Sequence, residues 1–217
     1  MARMETQARL KIALLGAEST GKTRLAQELA AHFASPGRHA VAVPEFLREW
    51  CEARQRTPRP EEQMGIAEEH ERRVDEACAR ADVVIADTTA VMVAIYSAML
   101  FQDASLYRFA LERQRSYDVT LLTGLDLPWV SDGLQRDGPH VREPVDALVR
   151  QMLQQAGIAY RVIYGQGPER LRNALAAIDA SLAPRTAARD WVWQCDKCSN
   201  PACEHRLFRK LLGDASR

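Results

Sequence analysis

The sequence predicts an α/β chain, a three-layer sandwich with helices on both faces of a mainly parallel, five-stranded sheet. Three observations lead there. Five short apolar runs, at 10–15, 40–43, 82–86, 119–122 and 160–163, have strand length and are nearly continuous in their hydrophobicity, as strands covered on both faces are. Stretches with helical spacing separate them, and strand-helix alternation is the signature of a parallel sheet. A chain of 217 residues, 47% hydrophobic, suffices for one such core and a small appendage.

The first strand runs straight into Gly16-Ala17-Glu18-Ser19-Thr20-Gly21-Lys22-Thr23. This fits G-x-x-x-x-G-K-[ST], a loop whose glycines let successive backbone N–H groups turn inward on phosphate oxygens. Leu25, Leu29 and Phe33 follow at helical spacing, so the loop opens a helix whose N-terminus favours bound anions. Strand, loop and helix together place the chain in the P-loop NTPase class. The segment 16–23 is then the nucleotide-binding set, with Gly16, Glu18, Ser19, Thr20 and Gly21 as loop positions. Lys22 is the cation between the β- and γ-phosphates, and Thr23 is a hydroxyl ligand for Mg²⁺.

The second strand ends at Pro44-Glu45-Phe46-Leu47-Arg48-Glu49, and a helix is expected over about 45–54. In open parallel sheets ligands bind beyond the carboxyl ends of strands, so Glu45 faces the phosphate loop's crevice. There it orients or deprotonates an attacking hydroxyl, with Arg48 one turn on; the alternative is a solvated helix start with an i,i+3 ion pair. Residues 54–60 form a polar loop with two prolines, and a helix follows at 61–80. The third strand leads to Asp87, either a water-mediated Mg²⁺ ligand or, with Thr88, a cap for the next helix.

Helix is expected over 89–116, with a break near 101–104, then over 142–156 and 168–182. Between the fourth strand and the 142–156 helix, residues 128–141 carry Pro128, Gly133, Gly138 and Pro139 and read as an irregular flap. Arg136 and Arg142 in or beside it are lid arginines that close on the transferring phosphate, or else solvated charges of a mobile loop.

Lys+Arg and Asp+Glu both number 29, so no net field recruits nucleic acid or an anionic membrane. No apolar run reaches membrane-spanning length, and the first residues lack the apolar segment of a signal peptide, which points to the cytoplasm. Cys51 and Cys78 lie in helical stretches and read as small buried or half-buried hydrophobes.

Four strings, Gly-Ala-Glu-Ser-Thr-Gly-Lys-Thr, Pro-Glu-Phe-Leu-Arg-Glu-Trp, Ile-Ala-Asp-Thr-Thr and Pro-Trp-Val-Ser-Asp-Gly-Leu-Gln-Arg, occur in this order. Together they resemble the ribosylnicotinamide kinase domain of NadR-type proteins, over about residues 10–180. The resemblance implies a P-loop kinase fold and ATP-dependent phosphorylation of the 5′-hydroxyl of nicotinamide riboside. It implies Lys22 and Thr23 for ATP and Mg²⁺ and Asp87 for the metal. It also implies Glu45 and Arg48 on the acceptor side with Trp129 and Asp132, and Asp132, Arg136 and Arg142 in the lid region. Only nine residues precede the first strand, so the DNA-binding and adenylyltransferase modules usual in NadR are not expected. Two aromatic positions that help hold the nicotinamide ring in the family are Pro44 and Arg73 here, leaving Phe46, Trp50 or Trp129 to compensate.

Residues 1–183 are thus expected to form the kinase-like domain, and 184–217 a linker and tail. The tail reads Cys195-x₂-Cys198-x₄-Cys203-x-His205, spacing suited to a structural Zn²⁺, a redox dithiol or plain reduced cysteines. Two tryptophans, Trp191 and Trp193, suggest that it docks on a protein partner. The expected function is a small-molecule kinase taking MgATP and a nucleoside-like acceptor. The alternative is a nucleotide-binding ATPase or switch whose zinc tail engages a partner. Neither nucleic acid nor membrane is an expected ligand.

Overall fold

A computed structural model describes residues 9–130 and 138–183 of the chain. Five strands, β1 (Leu10–Leu15), β2 (Ala40–Val43), β3 (Val83–Asp87), β4 (Val119–Thr123) and β5 (Arg161–Ile163), form one parallel sheet in the order β2-β3-β1-β4-β5. The helices are α1 (Lys22–Phe33), α2 (Phe46–Arg54), α3 (Pro60–Arg80), α4 (Ala90–Phe101), α5 (Tyr107–Gln114), α6 (Arg142–Gln155) and α7 (Gly167–Leu182).

Strand period places the layers. Ile12 and Leu14 of β1 join Ile85 and Leu121 under α1 and α7, where Leu25, Leu29, Ala174 and Ile178 cover them. Ala13 and Leu15, one residue out of phase, face the opposite layer. Every residue of the central β1 is buried, whereas the edge strands β2 and β5 are only partly so. The continuous apolar character of 10–15 is therefore the mark of the middle strand.

The expected break in the 89–116 helix is real. α4 ends with Gln102 in the left-handed region at φ 56°, and α5 starts at Tyr107. α4 is buried all round from Ala90 to Ile95, which explains its uninterrupted Ala-Val-Met-Val-Ala-Ile sequence. The end of the flap differs from the irregular reading, because Pro139–Val141 make a turn of 3₁₀-helix that leads into α6. Asp87 lies inside β3, not beyond it.

Strand order reverses at β1, which has β3 on one side and β4 on the other. A crevice opens beyond the carboxyl ends at such a switch point, and the loop at 16–23 sits there. Among the described residues no helix is long and apolar enough to cross a membrane. Cys51 is buried and Cys78 half-buried, both as free thiols. Asp132, Arg136, the linker, and the tail with Cys195, Cys198, Cys203 and His205 lie outside the described residues.

Candidate active site

The phosphate loop is shaped by contacts only glycine permits. Gly16 has φ 144°, and a Cβ on it would sit 2.1 Å from the Thr123 hydroxyl at the end of β4. Gly21, at φ 75°, is the N-cap of α1. Between them Ser19 takes φ 53°. Thr20 is fully buried, its hydroxyl 2.8 Å from the Ala17 carbonyl and 2.7 Å from Thr123 Oγ1. Its side chain thus ties the loop to the sheet, and only its backbone remains for a ligand. Lys22 folds back so that Nζ donates to the Ala17 carbonyl at 2.8 Å, across the mouth of the loop.

Thr23 Oγ1 donates to Asp87 Oδ2 at 2.5 Å. Asp87 is 2% exposed, and its Oδ1 has no hydrogen-bond partner among the described residues. A buried carboxylate oxygen left without a donor is costly unless something else satisfies it. The Thr23 hydroxyl and the Asp87 carboxylate with its spare oxygen, beside a loop built for phosphate oxygens, are hard oxygen donors of the kind that fits Mg²⁺. The capping alternative for Asp87 does not hold, because Thr89 is the N-cap of α4 and accepts from Val91 N, while Glu71 accepts from Ala90 N.

A cleft of about 500 Å³ runs from the loop towards the start of α7, lined by Ser19, Lys22, Thr23, Arg48, Val130 and Gln166 among others. Glu45 is the N-cap residue of α2 but makes no capping bond with its side chain. Its carboxylate lies 3.7 Å from Arg48 Nη2, so the expected i,i+3 pair forms, and Arg48 reaches the phosphate cleft.

The start of the flap rests on the loop. Val130 N donates to Ser19 Oγ at 2.8 Å, and Leu127 and Pro128 line the cleft. Trp129 is half-buried, with an indole N–H that is buried and lacks an acceptor among the described residues. Arg142 does not stand out as a mobile cation. It is 7% exposed and donates to the Leu127 carbonyl at 2.9 Å, which fastens the root of the flap to α6.

Several residues of the site carry no motif. Arg170 of α7 is 4% exposed, and its guanidinium donates to the Thr20 carbonyl at 2.7 Å, the Gly165 carbonyl at 2.8 Å and Asp126 at 3.1 Å. It braces the phosphate loop from behind. His70, 2% exposed on α3, has Nε2 3.1 Å from the Thr88 carbonyl and Nδ1 3.4 Å from Phe46 N. Burial lowers its pKa, which favours the neutral ring. Glu71 beside it accepts from Tyr117 Oη at 3.1 Å, and burial, followed by that carboxylate, pushes the phenol well above its ordinary pKa. Thr89 donates to Gln114, which donates to Thr120, so a buried polar chain supports the start of α4.

Phe46 and Trp50 of α2 both face guanidinium groups. The Arg73 guanidinium lies 4.2 Å above the Phe46 ring and pairs with Glu49 at 2.5 Å and Glu69 at 2.9 Å. Arg54 and Arg56 lie 5.2 and 4.8 Å from the Trp50 ring.

A family model described as an AAA domain, AAA_28, matches residues 11–170, about three-quarters of the chain. The chain belongs to the AAA_28 family. No curated protein matches the sequence. Among solved structures the AAA_28 chain resembles a NadR protein in complex with NR, at TM-score 0.67 and 15% identity, over 85% of this chain and 54% of that one. It resembles a NadR protein in complex with NAD and AMP-PNP at TM-score 0.62 and 16% identity, over 84% and 52%. Deoxyadenosine kinase from M. mycoides, with products dCMP and dCDP, matches at TM-score 0.54 and 13% identity, over 79% and 100%. The AAA_28 chain thus shares a P-loop kinase fold with these proteins and spans about half the length of the NadR chains it matches.

Proposed function

We propose that this AAA_28 protein is an ATP-dependent small-molecule kinase, a P-loop phosphotransferase acting on the 5′-hydroxyl of nicotinamide riboside or a related nucleoside. The observation that carries the reading is the meeting of Lys22 and Thr23 of the phosphate loop with Asp87 of β3, with Arg48, beside Glu45, reaching the same cleft. The fold it shares with NadR and deoxyadenosine kinase structures supports it.

The loop amides and Lys22 hold the triphosphate of the substrate ATP, with Lys22 turning from the Ala17 carbonyl to the phosphate oxygens. Thr23 and Asp87 are the residues that would hold Mg²⁺. When bound, the ion offsets charge on the phosphate oxygens. Glu45 orients the acceptor hydroxyl and takes its proton as the oxygen–phosphorus bond forms. The bond from the γ-phosphorus to its bridging oxygen breaks, and the electron pair leaves with ADP. Arg48 adds positive charge at the cleft, and the flap rooted by Arg142 excludes water. Trp129, Asp132 and Arg136 belong to the acceptor and lid side in this reading.

The Arg73 guanidinium over Phe46 and those of Arg54 and Arg56 near Trp50 occupy ring faces on which an acceptor base would stack, so the base is the part of the acceptor that a nucleoside panel decides. Incubation with ATP labelled at the γ-phosphate and a panel of nucleosides tests the proposal. Label passing to an added nucleoside is the expected result; label appearing only as inorganic phosphate, whatever is added, contradicts it. For the tail we keep the zinc reading on spacing alone. About one zinc per chain, lost in Cys198→Ser, is its expected signature.

A further inference from the structure

His70 bonds the backbone beside each of the two acidic residues of the site, at Phe46 N and at the Thr88 carbonyl. A backbone N–H can only donate, so the 3.4 Å approach of Phe46 N makes Nδ1 an acceptor. The proton is therefore on Nε2, where it is donated to the Thr88 carbonyl at 3.1 Å. The two partners fix the tautomer between them. Phe46 directly follows Glu45, and Thr88 directly follows Asp87. β2 and β3 are neighbours in parallel register, with Val43 opposite Ala86. One rigid, buried ring thus joins the first turns of chain beyond two adjacent strands.

Each end of this clamp meets a specific need. Phe46 N is one of the unsatisfied donors at the start of α2, and the N-cap residue Glu45 does not cap with its side chain. His70 supplies that acceptor, so the Glu45 carboxylate is not drawn into capping. Thr88 has φ 72°, an unfavourable conformation for a β-branched residue, which persists only where the surroundings impose it. Its N–H is held by the Leu14 carbonyl at 3.0 Å and its carbonyl by His70, while Thr89 after it caps α4.

We propose that His70 is a positioning residue that sets Glu45 and Asp87 relative to each other by clamping the backbone beside each. The proposal rests on the kinase reading of the site. It separates the two ends of the ring. His70→Asn keeps an acceptor near the Nδ1 position for Phe46 and loses the reach to Thr88. His70→Gln keeps a donor near the Nε2 position and loses the acceptor.

The test measures, for each variant, the Mg²⁺ dependence of binding of a non-hydrolysable ATP analogue by calorimetry, and the KM for whichever nucleoside the wild-type protein phosphorylates. His70→Asn is expected to raise the Mg²⁺ needed for half-maximal binding by about tenfold, the usual effect of losing an outer-shell support, with acceptor KM near wild type. His70→Gln is expected to raise acceptor KM by roughly tenfold with Mg²⁺ dependence unchanged. Unchanged values in both variants, or equal losses in both quantities that simply follow a lowered Tm, overturn the proposal. Nitrogen-15 shifts of His70 in the unaltered protein give a check that needs no variant: the Nε2–H tautomer is expected, and the Nδ1–H tautomer refutes the clamp. Failure of the kinase reading shows separately, as wild-type protein that phosphorylates no acceptor.

Discussion

Thr23 Oγ1 donates to Asp87 Oδ2 at 2.5 Å, joining the first turn of α1 to the last residue of β3. Residues 64 positions apart thus present a hydroxyl and a carboxylate side by side, with the second carboxylate oxygen lacking a protein donor among the described residues. Asp87→Asn keeps the size and the bond from Thr23 but removes the charge that a divalent cation needs. The expected outcome is a folded protein whose Mg²⁺ requirement rises by about 10- to 100-fold, read from ADP release across a magnesium titration.

Lys22 is held over the loop mouth by the Ala17 carbonyl and has no part in the core. Lys22→Ala should lower turnover by about a thousandfold, as loss of a preorganised charge on the reacting phosphate does, while Tm stays within a few degrees of wild type. Turnover and a thermal melt on one preparation check both halves.

Gly16 is the steric counterpart. A methyl group there would meet Thr123 Oγ1 at 2.1 Å, in a backbone conformation that side chains rarely adopt. Gly16→Ala should cost about 2 kcal/mol or more of stability in urea denaturation and should abolish binding of the ATP analogue.

Arg170 is buried against Thr20, Gly165 and Asp126. Arg170→Met leaves the Asp126 carboxylate without its cation and the Thr20 carbonyl without its donor, a loss of about 3 kcal/mol. Asp126→Asn in the same chain should recover part of that loss. A double-mutant cycle by urea denaturation measures the recovery.

The start of α3 should respond to acid. Glu62 accepts from Arg56 and from the Arg59 backbone, and these bonds lower its pKa from an ordinary 4.5 to about 2. A carboxylate whose folded pKa is depressed stabilises the fold above its unfolded pKa and stops doing so as pH falls through the folded value. Protection of the first-turn amides of α3 should therefore decline between pH 4.5 and 2, and Glu62→Gln should remove that dependence. Hydrogen exchange followed by NMR measures it.

Local signals made much of this legible in advance. The apolar run at 10–15, the glycines at 16 and 21 and the Lys-Thr pair all lie within fourteen residues and together specify strand, loop and helix start. Asp87 stood at the end of an apolar run, where a parallel sheet opens. The supporting residues were hidden because their partners are remote. Arg170 braces Thr20 across 150 positions, and no pattern marks it. His70 and Glu71 fall in the charged run Glu68-Glu69-His70-Glu71-Arg72-Arg73, where no local pattern marks burial, yet both are 2% exposed. What buries them is the packing of α3 on α4 and the need of α2 and α4 for acceptors at their N-termini, which is a tertiary matter. The bond from Arg142 to the Leu127 carbonyl is of the same kind, since nothing nearby in sequence announces it.

The kinase reading requires loop 16–23, with Asp87, to grip a magnesium-bound triphosphate. Calorimetric titration of the wild-type protein with a non-hydrolysable ATP analogue, with and without Mg²⁺, tests it most directly. Saturable heat of binding near one site per chain, strengthened by Mg²⁺ and lost in Lys22→Ala, is the expected result. Absence of heat in either condition, or binding indifferent to both Mg²⁺ and Lys22, would contradict it.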